Sequence, residues 1–163
     1  MTADIIRKQT VFKAPLERVW CALSDASEFG QWFGVRFDAP AFTAGEPMTG
    51  HIVPTVVDPK VAEMQKPYEG TPFSIVIARI EPPHVFAFQW HPFGIDKDHD
   101  YSQEPMTTVT FVLEAVEGGT QLTLTEEGFD NIPAFRRAQA FAANDGGWSH
   151  QIKVIEAWLA LRS

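Results

Sequence analysis

The chain has 163 residues, 45% of them apolar and 13 of them Phe, which suits one domain with a well-filled core and excludes a disordered composition. Its formal charge is −8 with the basic residues scattered, so the concentrated Lys/Arg footprint that nucleic acid or an anionic membrane requires is missing. No run approaches the ~18 consecutive apolar residues of a membrane helix, and a lone cysteine, Cys21, excludes an internal disulfide and a thiolate metal cluster.

Met1 to Lys13 has neither the basic start nor the apolar centre of a signal peptide, so a cytoplasmic location is expected. With no repeat, low-complexity tract or linker-like stretch, residues 1–163 read as one domain. Asp4 to Lys13 is β-rich. Pro15 then suits a first helical turn, and Val19, Trp20 and Leu23 at helical spacing carry a helix to about Ser24. Ser27 to Phe33 reads as a second short helix.

Val35 to Ala41 and Pro47 to Pro54 read as a strand pair turning at Ala44-Gly45. Val56 to Thr71 is irregular because of Pro59, Pro67 and Gly70, with room for a helical turn at Val61 to Gln65. Phe73 to Glu81 and Val85 to His91 are strands joined at Pro82-Pro83-His84, and Asp96 to Pro105 is a polar loop. Thr107 to Val116 and Thr120 to Phe129 form a hairpin turning at Gly118-Gly119. From Pro133 to Leu161 the pattern is helical. This order predicts an α+β fold in which a curved antiparallel sheet wraps a long C-terminal helix on its concave side.

Alternation along the strands sends Val109, Phe111 and Leu113 inward, and likewise Phe86, Phe88 and Trp90. On the last strand Leu122 and Leu124 face in, which carries Glu126 onto the same face. At about 100° per residue, Phe141, Trp148, Ile152, Ile155 and Leu159 share one helix stripe, with Arg137, Asn144 and Gln151 on or beside it. Burying an unpaired charge costs several kcal/mol at roughly any interior site, so Arg137 and Glu126 are candidate partners across the Asn131-Ile132-Pro133 turn. A structural ion pair at the sheet rim and the polar end of a pocket both account for them. Gly146-Gly147 in mid-helix costs roughly 2 kcal/mol relative to Ala. Either a kink or a close approach to the sheet or to Trp32-Phe33 explains the pair.

Read together, PLERVWCALSDASEFGQWF, IEPPHVFAFQW, the Thr107-Val109-Phe111-Leu113 row, GTQLTLTEEGF and PAFRRAQAFAANDGGWSHQIKVIEAWL span nearly the whole chain. In order and spacing they resemble the activator of heat-shock chaperone ATPase homologue family of the START-like (SRPBCC) superfamily. The resemblance implies a helix-grip fold with a cavity between sheet and helix. Superfamily relatives bind lipids, hormones, polyketides or aromatic natural products, and a few catalyse. The Asp58 to Gly70 segment is longer than a plain hairpin loop and reads as a candidate lid.

The first expectation is therefore a binder of a small lipophilic or amphipathic molecule. Trp32 and Phe33 of the second helix and Phe86, Phe88, Trp90 and Phe111 of the sheet would line its cavity. Glu126, Arg137 and Asn144 would form the polar end, with Phe141, Trp148 and Ile152 on the helix wall. Second comes a chaperone-associated interaction module, after the family name. Third comes a cyclase- or hydrolase-like enzyme with Glu126 as general base and Arg137 or Asn144 at an oxyanion. Trp158 suits a homodimer contact or packing on the sheet.

No metal or cofactor is expected. The histidines His51, His84, His91, His99 and His150 lack metal-ligand spacing. Asp96, Asp98 and Asp100 lack the Gly and distal Glu of a calcium loop. Nucleotide-binding glycine motifs and a nucleophile elbow are absent, and Cys21 has no base nearby in sequence.

Overall fold

A computed structural model describes residues 5–92 and 100–161. Strand β1 (Ile5–Phe12) leads into helices α1 (Leu16–Ser24) and α2 (Ala26–Phe33). Asp25 separates the helices and caps α2, its side chain accepting from the Glu28 amide. Gly34, at φ 99°, ends α2 in the left-handed conformation that glycine adopts without strain.

A meander follows: β2 (Val35–Phe37), β3 (Pro47–Ile52), β4 (Pro72–Glu81), β5 (Val85–Trp90), β6 (Thr107–Val116) and β7 (Gly119–Glu127). All pairs are antiparallel, in the order β1-β7-β6-β5-β4-β3-β2. The two short helices thus carry the chain from one edge of the sheet to the other. Strand β2 stops at Phe37, short of the expected Ala41, because Pro40 cannot donate to a ladder. Phe42 turns back into the core instead.

Between β3 and β4 lies more helix than the sequence suggests: α3 (Pro59–Gln65), then a 3₁₀ turn (Lys66–Tyr68). Asp58 caps α3 by accepting from the Lys60 and Val61 amides, and Pro59 fills the first turn, where its missing N–H costs nothing. Helix α4 (Ala134–Leu161) closes the chain. The Asp96 to Pro105 loop lies partly outside the described residues, as does His99.

The concave face is filled at its centre. Phe86, Phe88 and Phe111 are buried, with ring centroids 6.2 Å apart in each pairing. Phe29 of α2 meets Phe86 and Phe88 edge-on at 6.3 and 6.0 Å. Such contacts contribute about 0.5–1.5 kcal/mol each beyond the area they bury. Trp32 is buried too, donating from Nε1 to the Ala22 carbonyl at 2.7 Å and so fastening α2 to α1. Trp158 is 3% exposed within the chain, and its Nε1 donates to Glu28 of α2 at 2.9 Å, fastening the end of α4 to α2.

Helix α4 runs unbroken through Gly146 and Gly147. A Cβ built at either position meets no atom within 4 Å, so close approach does not explain the pair. At Gly30 close approach is real, since a Cβ there would lie 2.3 Å from the Val35 carbonyl oxygen where α2 folds back on β2. Gly146→Ala is therefore expected to stabilise by about 1 kcal/mol and raise Tm by about 2–4 °C. Gly30→Ala is expected to lower Tm despite the same gain in helix propensity. Thermal unfolding followed by circular dichroism checks both directions.

Candidate functional site

Strand register brings Trp90, Thr107 and Glu126 to one end of the concave face on three adjacent strands. Trp90 pairs with Thr107 across β5 and β6, and Val109 pairs with Glu126 across β6 and β7, leaving Thr107 diagonal to Glu126. Helix α4 supplies Asn144 and Trp148, one turn apart and so on one face.

These four side chains converge on one carboxylate. Trp90 Nε1 donates to Glu126 Oε2 at 2.8 Å, and Thr107 Oγ1 donates to the same oxygen at 2.6 Å. Trp148 Nε1 donates to Oε1 at 2.8 Å. Asn144 Nδ2 reaches both oxygens, at 3.1 and 3.0 Å. Glu126 is fully buried, and every partner among the described residues is a neutral donor. A buried carboxylate is tolerated when its lone pairs are filled in this way, and hydrogen bonds to a charged group contribute about 1.5–3 kcal/mol each.

Beside this cluster the filled core opens into two adjoining recesses. One of about 200 Å³ lies between α3 and α4, walled by Phe33, Val61, Met64, Trp90, Trp148 and Gln151, with Gly147 in its helix wall. The other, about 380 Å³, extends over β4 past Tyr68, Phe73, His91 and Tyr101. Phe33, Gln65, Trp90 and Asn144 border both. Helix α3 forms their outer wall, held by Val61 in the core and by Gln65, which donates to the Phe33 carbonyl at 2.8 Å and accepts from the Thr55 amide at 2.8 Å.

Of the twelve residues expected to line a cavity, Phe33, Trp90, Asn144 and Trp148 border these recesses. Trp32, Phe86, Phe88, Phe111 and Glu126 lie behind them in the closed core. Phe141 packs on Phe129, centroids 5.0 Å apart, and Ile152 is half-buried against the core.

Arg137 does not pair with Glu126. Its Nε donates to the Ile132 carbonyl at 3.0 Å, because in the first turns of α4 the buried positions are Arg136 and Ala140, one residue earlier than Arg137 and Phe141, while Trp148, Ile155 and Leu159 are buried as expected. Arg136 is the buried cation. Its Nε donates to Glu104 Oε1 at 2.8 Å, while Nη2 lies 2.8 Å from that oxygen without hydrogen-bond alignment. Its Nη1 donates to the Pro92 carbonyl at 2.7 Å, and the guanidinium sits 4.7 Å over the Tyr101 ring. Arg136 thus ties the chain on either side of the β5–β6 loop to the start of α4.

Sequence reasoning missed Arg136, Thr107 and the Val61-Met64-Gln65 wall. Thr107 was detectable, since it continues the inward Val109-Phe111 row. Cys21 is exposed, and the described residues hold no cluster of His, Cys, Asp or Glu placed to bind a metal. None of the described helices is long and apolar enough to cross a membrane.

A seven-stranded antiparallel sheet closed over a long C-terminal helix, with a helix pair after its first strand, is the helix-grip fold of the START-like (SRPBCC) superfamily. Residues 13–160 match the profile of the activator of Hsp90 ATPase homolog 1-like proteins, and the chain belongs to that family. Among solved structures it is similar to DynU16, a protein from the dynemicin biosynthetic locus, at 23% identity and a TM-score of 0.67. That match covers 98% of this chain and 48% of DynU16, so the chain spans about half of DynU16's length. A Mesorhizobium loti protein is similar at 17% identity and a TM-score of 0.70, over 98% of both chains. A Staphylococcus epidermidis protein is similar at 19% identity and a TM-score of 0.71, over 100% of this chain and 93% of its own. These likenesses show the fold alone. No curated protein matches the chain.

Two substitutions test the buried polar groups. Glu126→Gln turns an amide NH₂ toward groups that themselves donate, and is expected to cost about 1–3 kcal/mol for each donor left facing it. Denaturant unfolding measures this. Arg136→Met removes the buried guanidinium from Glu104, the Pro92 carbonyl and the Tyr101 ring and is expected to cost about 3–5 kcal/mol, whereas Arg137→Met costs far less.

Proposed function

We propose that the protein binds a small, largely apolar molecule in the paired recesses between α3, β4 and the middle of α4. One observation carries this reading: the concave face is packed with aromatic rings at its centre, yet opens into apolar-walled space beside a buried carboxylate held by four neutral donors. Ligand sites commonly combine apolar walls with a few fixed polar groups. The superfamily's habit of holding small molecules between sheet and helix supports it.

Gly147 gives the recess a further rationale. A glycine here costs helix stability, and a Cβ at this position would meet nothing. Its bare backbone forms part of the recess wall, so any longer side chain would occupy the space. Helix α3, held by Gln65 and by Val61 in the core, is the candidate lid. Its exposed Met64 and buried Val61 are wall residues that would move with it.

Catalysis by Glu126 finds less support. The carboxylate is fully buried, lies behind Trp90, Trp148 and Asn144, and already accepts five hydrogen bonds. A general base needs to reach its proton within about 2.6–3.2 Å, directly or through one water. The chaperone-associated role, a homodimer and the cytoplasmic location have no particular structural feature in their favour.

Gly147→Leu is expected to keep or raise Tm while weakening binding of the fluorescent probe N-phenyl-1-naphthylamine by about tenfold or more. Quenching of the Trp90 and Trp148 emission reads the binding. Equal affinity for both proteins, or no affinity in the unaltered one, would contradict the proposal.

A further inference from the structure

The recess walls carry a directional hydrogen-bonding pattern. Asn144 turns its Nδ2 to both oxygens of the Glu126 carboxylate, which can only accept. That fixes the orientation of the amide, so its remaining end is the carbonyl oxygen. No donor among the described residues reaches Asn144 Oδ1, and the residue borders both recesses.

Gln151 repeats the pattern two turns further along α4. Its Nε2 donates to the Phe33 carbonyl at 3.3 Å, again an acceptor that fixes which end is which. Its Oε1 is buried without a protein partner, and the residue borders the smaller recess. Both amides are held by partners that prevent a flip to the NH₂ end; the Gln151 oxygen is closed off from solvent, and the Asn144 oxygen is the one presented to the space.

Formal charge points the same way. Neither recess has a Lys, Arg, Asp or Glu on its described walls. The basic side chains there are His150, which is exposed, and His91, whose Nε2 lies 3.1 Å from the Glu104 carbonyl. Behind the walls lies the Glu126 carboxylate, whose described partners are neutral dipoles and no cation. The larger recess adds the hydroxyl side chains of Tyr68, Thr71, Ser74 and Tyr101, which can donate or accept. An anionic group entering beside Asn144 would therefore face an acceptor oxygen and a buried negative charge with no Lys or Arg on the described walls to offset them.

We infer that the ligand of this recess is a hydrogen-bond donor: an apolar, one- or two-ring molecule carrying a hydroxyl or an amine, and not a carboxylate, phosphate or sulfate. This rests on the binding reading above and adds the chemical class. Size agrees, because an apolar cavity of about 150 Å³ holds benzene and the smaller recess measures about 200 Å³. The faces of Trp90, Trp148 and Phe33 supply stacking surface, and they favour a cationic amine further.

Four probes of one shape test it by calorimetric titration of the intact protein: 2-methylnaphthalene, 2-naphthol, 2-(aminomethyl)naphthalene and 2-naphthoate. The alcohol and the amine are expected to bind about tenfold more tightly than the methyl compound, the worth of one good hydrogen bond. The naphthoate is expected to bind most weakly. In Asn144→Leu, shown folded by its thermal transition, the advantage of the alcohol over the methyl compound is expected to shrink. Binding of all four at similar affinity, or tightest binding of naphthoate, would overturn the donor inference and leave the binding site standing. Failure of all four to bind would overturn both.

Discussion

A single buried carboxylate organises this end of the molecule. Glu126 lies on the last strand, continuing the row of Leu122 and Leu124, and strand periodicity alone turns it inward. Once there it is tolerable only if donors surround it. Two strands supply Trp90 and Thr107, and the long helix supplies Asn144 and Trp148. The helix and the sheet are thereby joined by charge-assisted hydrogen bonds where an apolar contact would leave more freedom in rotation and register.

That constraint has consequences for the space next to it. The two indoles cannot collapse into the recess while their N–H groups point at Glu126, and Asn144 cannot swing its amide. Elsewhere on the concave face nothing holds the rings apart, and Phe29, Phe86, Phe88 and Phe111 close on one another to fill it. A filled centre and an open end thus follow from where the polar anchor falls. Proteins generally pack their interiors densely, so space bordered by fixed aromatic walls needs such a cause.

Much of this architecture was legible in the sequence. Periodicity of two placed Phe86, Phe88, Phe111 and Glu126 on one face, and the long helical run after Pro133 had one apolar surface to cover. The family resemblance then supplied the order in which these elements assemble. Helix phase was the weak point. A stripe drawn through Arg137 and Phe141 differs by only one residue from the one through Arg136 and Ala140, and a wide mixed face does not choose between them. The first phase makes Arg137 a candidate partner for the carboxylate, whose partners among the described residues are two indoles, a hydroxyl and an amide. Indole N–H groups are easily overlooked as donors because tryptophan is first counted as apolar. The helix α3 was foreseen only as a turn, its capping Asp58-Pro59 being plain in retrospect.

The most direct test of the account follows the side-chain N–H signals of tryptophan by nuclear magnetic resonance as 2-naphthol is added. Trp90 and Trp148 border the recess and share the carboxylate, whereas Trp32 is sealed in the core on the Ala22 carbonyl. The account predicts that the Trp90 and Trp148 signals shift together and saturate while the Trp32 signal stays in place. Signals that remain fixed throughout, or a shift confined to tryptophans away from the recess, would contradict it.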